Sequence, residues 1–392
     1  MILVHVSIIF NIEGIEMIKR SLEKGILNRL EDEKIIIIYG ARQVGKTTLL
    51  RKLFENESDV LWLNGDEAHS HALLSDSNSE RFKAIIGKNR FLVIDEAQRI
   101  EDIGLKLKII YDNIPDVKVI VSGSSSFVLA SSVNEPLTGR KWEFLLHPFS
   151  FEELVADTNL LKELSLLEQR LLYGSYPEVV TKSEDARSLL IELSSSYLYK
   201  DVLEFGKLLK SNKLINLLRA LAFQIGNEVS LSEISRLVSL DVKTVDKYLA
   251  VLEKSFVIFS IPSFARNLRN EIKKGRKFYF VDVGVRNALI NQFAPLANRN
   301  DVGGLWENYL ISERRKYLSD NNIYGSSYFW RTHSQAEIDY IEERDGLLST
   351  YEFKFSPKKG VREKALFKET YPNSSFTVVT RENYDRFLLG EI

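Results

Sequence analysis

Short runs of apolar residues alternate with helical stretches in the first part of the chain. Four of these runs have the length of strands: IIIIY at 35–39, VLWLN at 60–64, FLVID at 91–95 and VKVIVSG at 117–123. Strands that alternate with helices indicate a largely parallel sheet covered on both faces. The pattern therefore predicts one α/β domain over residues 17–150.

The pattern changes at HPFSFEEL, residues 147–154. Ser150 and Glu153 have the spacing of a capping box, which predicts that a helix begins there. From this point Leu, Glu, Lys and Ser recur at helical period, interrupted by the turn-like GSYPE at 174–178. We therefore predict a helical linker domain over residues 151–225.

The sequence from residue 230, SLSEISRLVSLDVKTVDKYLAVLEKSFVIFSI, predicts a short helix, a turn, a longer helix and a strand. This order is typical of a helix-turn-helix followed by a wing, which we assign to residues 226–277. The remaining residues, 278–392, mix five strand-like segments with a helix at 304–318 and predict a second α/β domain.

The size and charge of the chain narrow the classes of protein to consider. Its 392 residues exceed the ~250–300 at which single hydrophobic cores stop growing, which agrees with several domains. The 53 basic and 54 acidic residues nearly cancel, so a charged partner such as nucleic acid must meet a local patch. The absence of cysteine excludes disulfides and thiolate chemistry and fits a reducing cytoplasm.

The membrane-like stretch of the sequence is Met1–Phe10, about half the ~20 apolar residues that a spanning helix needs. Because it lacks a basic flank and a cleavage site, we expect a soluble, cytoplasmic protein with no membrane contact. Met17 opens the amphipathic run IKRSLEKGILNRL. Residues 1–16 are therefore either an N-terminal extension ahead of the true start or an ordinary first strand.

A complete P-loop motif, GARQVGKT, lies between the first apolar strand and the helix-forming TLLRKLF. Its glycines let the loop curl so that backbone N–H groups and the helix N-terminus face the phosphates of a nucleotide. Lys46 adds a positive charge and Thr47 a magnesium ligand, so we expect ATP and Mg²⁺ to bind here. The expected nucleotide contacts are Gly40, Ala41, Arg42, Gln43, Val44, Gly45, Lys46, Thr47 and Thr48.

Downstream of the P-loop, the strand FLVID ends in two acids. We expect Asp95 to hold magnesium through water and Glu96 to polarise the attacking water. The next strand ends in small polar residues, of which Ser124 or Ser126 is placed to contact the γ-phosphate, with plain turn chemistry as the alternative. Arg140 in LTGRKWEF stands where an arginine reaches a phosphate in its own or a neighbouring subunit, or forms a surface ion pair.

With these motifs, the sequence resembles the AAA-plus-type ATPases of archaea and bacteria that carry a C-terminal domain of unknown function with a restriction-endonuclease-like core. The resemblance implies ATP binding by a P-loop domain, followed by a helical and winged-helix region and an α/β endonuclease-like domain. It covers nearly the whole chain from about Met17 through GARQVGKTTLL, FLVIDEAQ, VSGSSS, LTGR, HPFSFEEL, GSYPEVV, SYLYKDV, FYFVDVGVRNAL, GLWENYL, FWRT with AEIDY, and YEFKFS.

The C-terminal strings AEIDYI and YEFKF resemble the PD-(D/E)xK nuclease pattern, with an isoleucine in place of the proline. The resemblance implies that Asp339 and Glu352 share a divalent metal and that Lys354 positions or deprotonates the water. Glu307 is a candidate further ligand, and Glu337 shares the strand face of Asp339 and could replace either carboxylate. A degenerate nuclease fold used for docking is the alternative.

A basic segment, RNLRNEIKKGRK at 266–277, holds six basic residues and one acid, enough to contact several phosphates of a nucleic acid. A solvated edge is the alternative, since Asp246 and Glu253 lie on the recognition-helix face. We therefore expect an ATP-driven switch or motor that acts on DNA, with a homo-oligomer as one expected assembly. The alternatives are a nucleotide-dependent nuclease of defence or mobile-element type and a signalling-type ATPase switch whose C-terminal domain docks a protein.

Overall fold

A computed structural model of the chain describes residues 17–76, 78–124, 137–205, 211–265, 275–332, 336–357 and 360–392. The predicted N-terminal extension, Ser126 and most of the basic segment at 266–277 lie outside these described residues.

Five described strands form the first sheet, and every neighbouring pair is parallel. They run in the order β2-β3-β4-β1-β5. Their bounds are β1 Ile35–Tyr39, β2 Val60–Asn64, β3 Phe91–Asp95, β4 Lys118–Gly123 and β5 Lys141–Leu145. The four predicted strands are all present. The fifth, KWEFL, is not among the predicted strands because its mixed, half-buried edge sequence lacks a continuous apolar run.

Helices cover both faces of this sheet. The residues of β1 alternate between two cores: Ile36 packs with Leu50, and Ile37 belongs to the cluster that contains Leu107. Central strands buried on both faces are apolar at every position for this reason. The helices are α1 Leu22–Leu27, α2 Lys46–Leu53, α3 Ala68–Leu73, α4 Ser79–Ile86 and α5 Ile103–Asn113.

The middle of the chain is helical, as its periodicity predicts. The predicted capping box opens α6: Glu153 N donates to Ser150 Oγ at 3.2 Å and Ser150 N to Glu153 Oε2 at 3.0 Å. Only the first part of GSYPE is a turn, because Pro177 already begins a helix. The helices are α6 Phe151–Asp157, α7 Leu160–Ser165, α8 Leu167–Tyr173, α9 Pro177–Thr181, α10 Ala186–Phe205 and α11 Ser211–Phe223.

A small three-stranded sheet and two helices follow. The strand order is β6-β8-β7, with antiparallel pairing. Ser239, in the left-handed conformation with φ 51°, makes the turn between the two helices. The elements are β6 Glu228–Val229, α12 Leu231–Val238, α13 Val242–Lys254, β7 Ile258–Pro262 and β8 Arg276–Phe280. The boundary predicted between residues 277 and 278 falls inside β8.

The C-terminal part is a four-stranded sheet in the order β12-β11-β10-β9, parallel only between β11 and β12. Its core forms where Trp306 of the long helix packs edge-on against Tyr384, with ring centroids 5.5 Å apart. No helix among the described residues is both long and apolar enough to cross a membrane. The elements are α14 Val283–Leu289, α15 Val302–Asp320, β9 Ser326–Arg331, β10 Glu337–Arg344, β11 Leu347–Phe353, α16 Ala365–Thr370, β12 Ser375–Val379 and α17 Tyr384–Leu388.

Candidate functional site

The segment GARQVGKT forms the turn from β1 into α2, as its motif predicts. Gly40 has no room for a side chain, because a Cβ there would lie 2.1 Å from the carbonyl oxygen of Leu146. Gly45 takes φ 94°, a left-handed conformation that favours glycine, and α2 begins at the next residue. Lys46 is buried, and its Nζ donates to the carbonyls of Gly40 at 3.0 Å and Ala41 at 2.8 Å. The lysine therefore folds back over the loop.

A ring of hydroxyl and carboxylate oxygens lies at the start of α2. Thr47 Oγ1 donates to Asp95 Oδ2 at 2.6 Å, and the Ser122 hydroxyl donates to the other oxygen of the same carboxylate. Asp95 is only 7% exposed, so its carboxylate interacts mainly with the groups around it rather than with bulk solvent. Hard oxygen donors of this kind suit Mg²⁺, which keeps several waters and uses only one or two protein ligands. Thr47 and Asp95 therefore fit the predicted magnesium site.

Glu96 lies beside this carboxylate in an unusual backbone conformation, φ 49°. Gln98, which the sequence analysis did not select, donates from Nε2 both to Glu96 Oε2 and, at 3.0 Å, to Ser124 Oγ. The amide thus joins the ends of β3 and β4 and orients Glu96. The string FLVIDEAQ contains this glutamine, but nothing in the sequence shows that it turns back toward β4.

A cavity of about 680 Å³ opens next to Thr47 and Asp95. Phe54, directly after α2, and Trp62 of β2 form part of its wall, and Trp62 is 39% exposed. Its volume is within the ~300–1,000 Å³ of small-molecule sites. Thr47 and Asp95, the two predicted magnesium residues, thus border a space of suitable size.

Arg20 supports the P-loop from behind and was missed by sequence reasoning. Its Nη1 donates to the carbonyl of Val44 at 2.8 Å and its Nη2 to that of His147 at 2.5 Å. Its Nε donates to Glu153 Oε1 at 3.0 Å. The signal in the sequence is a single basic residue in an amphipathic run, which alone indicates a solvated helix face.

Arg140 lies at the opposite edge of the sheet. Its carbonyl accepts from Ile35 N at 2.9 Å at the beginning of β1, whereas the P-loop follows the end of that strand. Its Nε donates to Asp112 Oδ1 at 3.0 Å, as in the surface ion pair considered above. A strand of five residues is about 16 Å long, so the interpretation of Arg140 as a phosphate contact within its own subunit is wrong. Contact with a neighbouring subunit stays a prediction.

Comparisons with known proteins agree with this geometry. Residues 32–155 match a family model described as an AAA domain. Residues 32–155 are a P-loop ATPase domain. Two further models, each described as a domain of unknown function, match residues 164–296 and 302–390.

Two relatives that match most of the chain are both described as uncharacterized proteins. An uncharacterized protein of Mycobacterium tuberculosis is 23% identical over 341 residues, which cover 86% of this chain and 74% of that protein. An uncharacterized protein of Methanocaldococcus jannaschii is 23% identical over 402 residues, covering 94% and 87%. Among solved structures, a Walker-type ATPase of Pyrococcus abyssi matches with a TM-score of 0.49 and 18% identity, over 70% of this chain and 96% of that one.

Outside the ATPase domain, β10 and β11 bring together the predicted Asp339, Glu352 and Lys354. Lys354 Nζ lies 2.8 Å from Glu352 Oε1 and 3.7 Å from Asp339 Oδ2. Burial, with the nearby charges of Glu307 and Glu352, raises the pKa of Asp339 to about 7. Glu352 Oε2 is buried without a hydrogen bond, with Lys364 Nζ 3.9 Å away. This cluster is held together by a lysine rather than arranged as an open set of carboxylates.

Glu307, a predicted further metal ligand beside Asp339 and Glu352, has other partners in this structure, and its role as a ligand stays a prediction. Among the residues that the structure describes, no group of three or more metal-ligating side chains could hold an ion. Glu307 Oε1 instead accepts from Lys277 Nζ at 2.9 Å and Tyr279 OH at 2.6 Å. Glu337, the predicted substitute, also pairs with Lys277, at 2.6 Å. The buried lysine attracts both carboxylates because an ion pair offsets the cost of its burial.

Proposed function

We propose that this protein is a magnesium-dependent ATPase that acts as an ATP-driven switch or motor on DNA. The observation that carries the ATPase part is the convergence of Thr47, Asp95 and Glu96 with Ser124 at one edge of the sheet. Mg²⁺ would supply charge stabilisation for the phosphates when bound. Thr47 and Asp95 would hold it.

The chain's own residues suit each part of the hydrolytic step. When ATP binds, Lys46 gives up its hydrogen bonds to the two loop carbonyls and forms charge-assisted hydrogen bonds to the phosphates instead. Glu96 orients and polarises water, and Gln98 holds the carboxylate in place. Ser124 stands beside this pair, where it can report on the γ-phosphate.

Arg140 is the residue through which one subunit would contact the nucleotide of its neighbour in a homo-oligomer. It lies at the edge of the sheet away from its own P-loop, half-exposed and paired with Asp112 on the surface. A surface pair of this kind is weak, so the guanidinium can be released to a phosphate of a neighbouring subunit at little cost. Mixing Glu96→Gln chains with Arg140→Ala chains tests this. Recovery of hydrolysis above both parents supports the contact between subunits, and no recovery refutes it.

Support for DNA as the partner comes from the helix pair α12–α13. Lys243 and Lys247 of α13, the second helix of the pair, are exposed. One of the basic residues, Arg276, donates to Asp246 Oδ1 at 2.6 Å, so part of the positive charge is already neutralised. The winged-helix interpretation therefore depends on the exposed lysines and on the segment outside the described residues.

The deciding experiment is an ATPase assay with and without single- and double-stranded DNA, together with DNA binding over a range of salt. We expect DNA to raise turnover and its affinity to fall steeply with salt, because binding releases counterions. Replacing Arg269, Lys273, Lys274 and Arg276 by glutamine should flatten the salt slope. The matched control replaces Lys83, Lys88, Arg90 and Lys108 of the ATPase domain. Turnover unaffected by DNA would favour the signalling-type switch.

The gathering of Asp339, Glu352 and Lys354 favours a second candidate, a nucleotide-dependent nuclease. A divalent cation would have to displace Lys354 Nζ from between the two carboxylates. Thermal melts of the full chain with and without manganese, for wild type and Asp339→Ala, test the metal, and a plasmid cleavage assay tests the activity. Stabilisation of wild type alone supports the candidate. Equal shifts, or none, indicate a docking surface instead.

A further inference from the structure

A second cavity, of about 380 Å³, lies where three parts of the chain meet, and its lining residues do not include any of the P-loop. Its walls come from the end of β5 in the ATPase domain, from α13 and β7, and from α15 of the C-terminal part. The volume falls within the ~300–1,000 Å³ typical of small-molecule sites. The cavity is thus large enough for a small organic ligand.

Arg315 of α15 extends into this cavity. Its guanidinium lies 4.6 Å from the ring centroid of Phe259. Within the part of the chain that the structure describes, it forms no hydrogen bond and no ion pair. The side chain of Arg315 is exposed, and it is one of the residues that line the cavity. Its five N–H donors have no acceptor among the described residues and are open to solvent or to a ligand in the cavity.

His147 is the second polar group of the cavity without a partner. Its Nε2 is buried and has no hydrogen bond among the described residues. Burial, together with Arg315, Lys316 and Arg20, holds the pKa of the imidazole well below its usual range. This favours the neutral ring, which in its Nε2–H tautomer can donate one hydrogen bond from Nε2. Leaving such a buried donor unpaired costs ~1–3 kcal/mol.

The other charged groups of the wall have partners. Lys316 Nζ donates to the Phe149 carbonyl at 2.9 Å and to Glu313 Oε1 at 2.6 Å. Glu253 is the carboxylate among the described lining residues, and its Oε1 accepts from Ser260 Oγ at 2.6 Å. The cavity therefore offers two unused donors and one carboxylate that opposes an anion.

We propose that this cavity is a binding site for a small organic anion. Its carboxylate or phosphate group accepts hydrogen bonds from Arg315 and from His147 Nε2. Its apolar part lies against Phe259 and Ile311, which line the same space. This site is separate from the nucleotide site and does not depend on ATP hydrolysis or on DNA.

The test uses the full chain with its P-loop saturated by Mg²⁺ and ADP, so that added anions do not report on the nucleotide site. Inorganic phosphate and malonate are titrated separately, and the imidazole resonances of histidine-labelled protein are followed. His147→Gln assigns the signal. We expect a saturable shift of the His147 resonance, and the tighter of the two probes identifies the anion class.

Three variants decide whether Arg315 holds the anion. Arg315→Gln should raise the dissociation constant of the anion about tenfold or more, because a charge-assisted contact is lost. Arg386→Gln is the matched control, an exposed arginine of the same domain whose Nε is 3.5 Å from Glu391 Oε2, and it should bind as wild type does. Glu253→Gln should tighten binding, because it removes the opposing charge and keeps an acceptor for Ser260.

ADP affinity shows that each variant is folded. The Glu253 variant retains Arg315, so the proposal stays testable even if Arg315→Gln does not fold. Absence of a saturable shift with both probes, equal affinity in Arg315→Gln and wild type, or unchanged affinity in Glu253→Gln would each overturn the proposal.

Discussion

Arg20 and Glu153 are 133 residues apart in the sequence, yet Arg20 Nε donates to Glu153 Oε1 at 3.0 Å inside the protein. Their side chains are only 9% and 2% exposed. Glu153 also caps α6, and Arg20 also holds the carbonyl of Val44 in the P-loop. The pair therefore ties the nucleotide loop to the first helix after the ATPase domain.

Arg20→Ala should destabilise the protein by ~3–5 kcal/mol, because it leaves Glu153 as a buried charge without its partner. It should also weaken ADP binding, since the Val44 carbonyl loses its donor. Urea unfolding and ADP titration measure the two effects. Lys83→Ala, which removes an exposed pair with Glu80, should change stability by less than about 1 kcal/mol. A similarly small effect of Arg20→Ala would contradict a supporting role.

Lys46→Ala should abolish tight ATP binding, because the phosphates lose a charge-assisted contact worth roughly 1.5–3 kcal/mol. Calorimetric titration with a slowly hydrolysed ATP analogue measures the change. The control is Lys52→Ala, on the same helix, whose Nζ is 3.4 Å from Glu23 Oε2. Equal nucleotide affinity in both variants would remove Lys46 from the phosphate site.

Glu96→Gln should bind ATP normally but hydrolyse it ~10²–10⁴-fold more slowly, the range ascribed to positioned acid–base groups. Glutamine keeps the shape of the side chain and an acceptor for Gln98, so the loss isolates the carboxylate. Single-turnover hydrolysis separates this step from binding. Glu101→Gln, an exposed neighbour, should match wild type. Wild-type turnover in Glu96→Gln would exclude it as the base.

Asp339 should make the stability of the protein fall as pH rises. Its pKa is about 7 in the folded protein against an ordinary 3.8, so the folded state retains a proton that the unfolded state has lost. Between about pH 4 and pH 7 this lowers the unfolding free energy by at most ~1.4 kcal/mol per pH unit. Asp339→Asn should lose this contribution, and thermal melts at several pH values measure the difference.

The control for this pH dependence is Asp345→Asn, an exposed turn residue of the same domain with φ 51°, a conformation that asparagine tolerates. Its melting temperature should follow the wild-type pH profile. If Asp339→Asn follows that profile as well, the Asp339 carboxyl has its ordinary pKa in the folded protein, and the prediction is wrong.

The fold of the ATPase domain was accessible from sequence because its signals are local. The P-loop spacing, the apolar run of β1 and the Ser150–Glu153 cap each involve neighbouring residues. The placement of Asp95 beside Thr47 also follows, because parallel strands end at the same edge of a sheet.

The missed features depend on residues that are distant in sequence. Arg20 is recognisable only once α1, the P-loop and α6 are packed together. Likewise, the pairing of Glu307 with Lys277 is recognisable only once α15 is packed against β8. Pairing between distant charges is set by burial, which no local pattern reveals.

The left-handed backbone of Glu96, φ 49°, sets stability against activity at one position. A residue with a Cβ pays ~1–2 kcal/mol for this conformation, whereas glycine adopts it freely. A screen for thermal robustness would therefore tend to select Glu96→Gly, and a screen for turnover would reject the same variant. If Glu96 is the base, a locally strained residue stands in the place where relaxing the chain would stop hydrolysis.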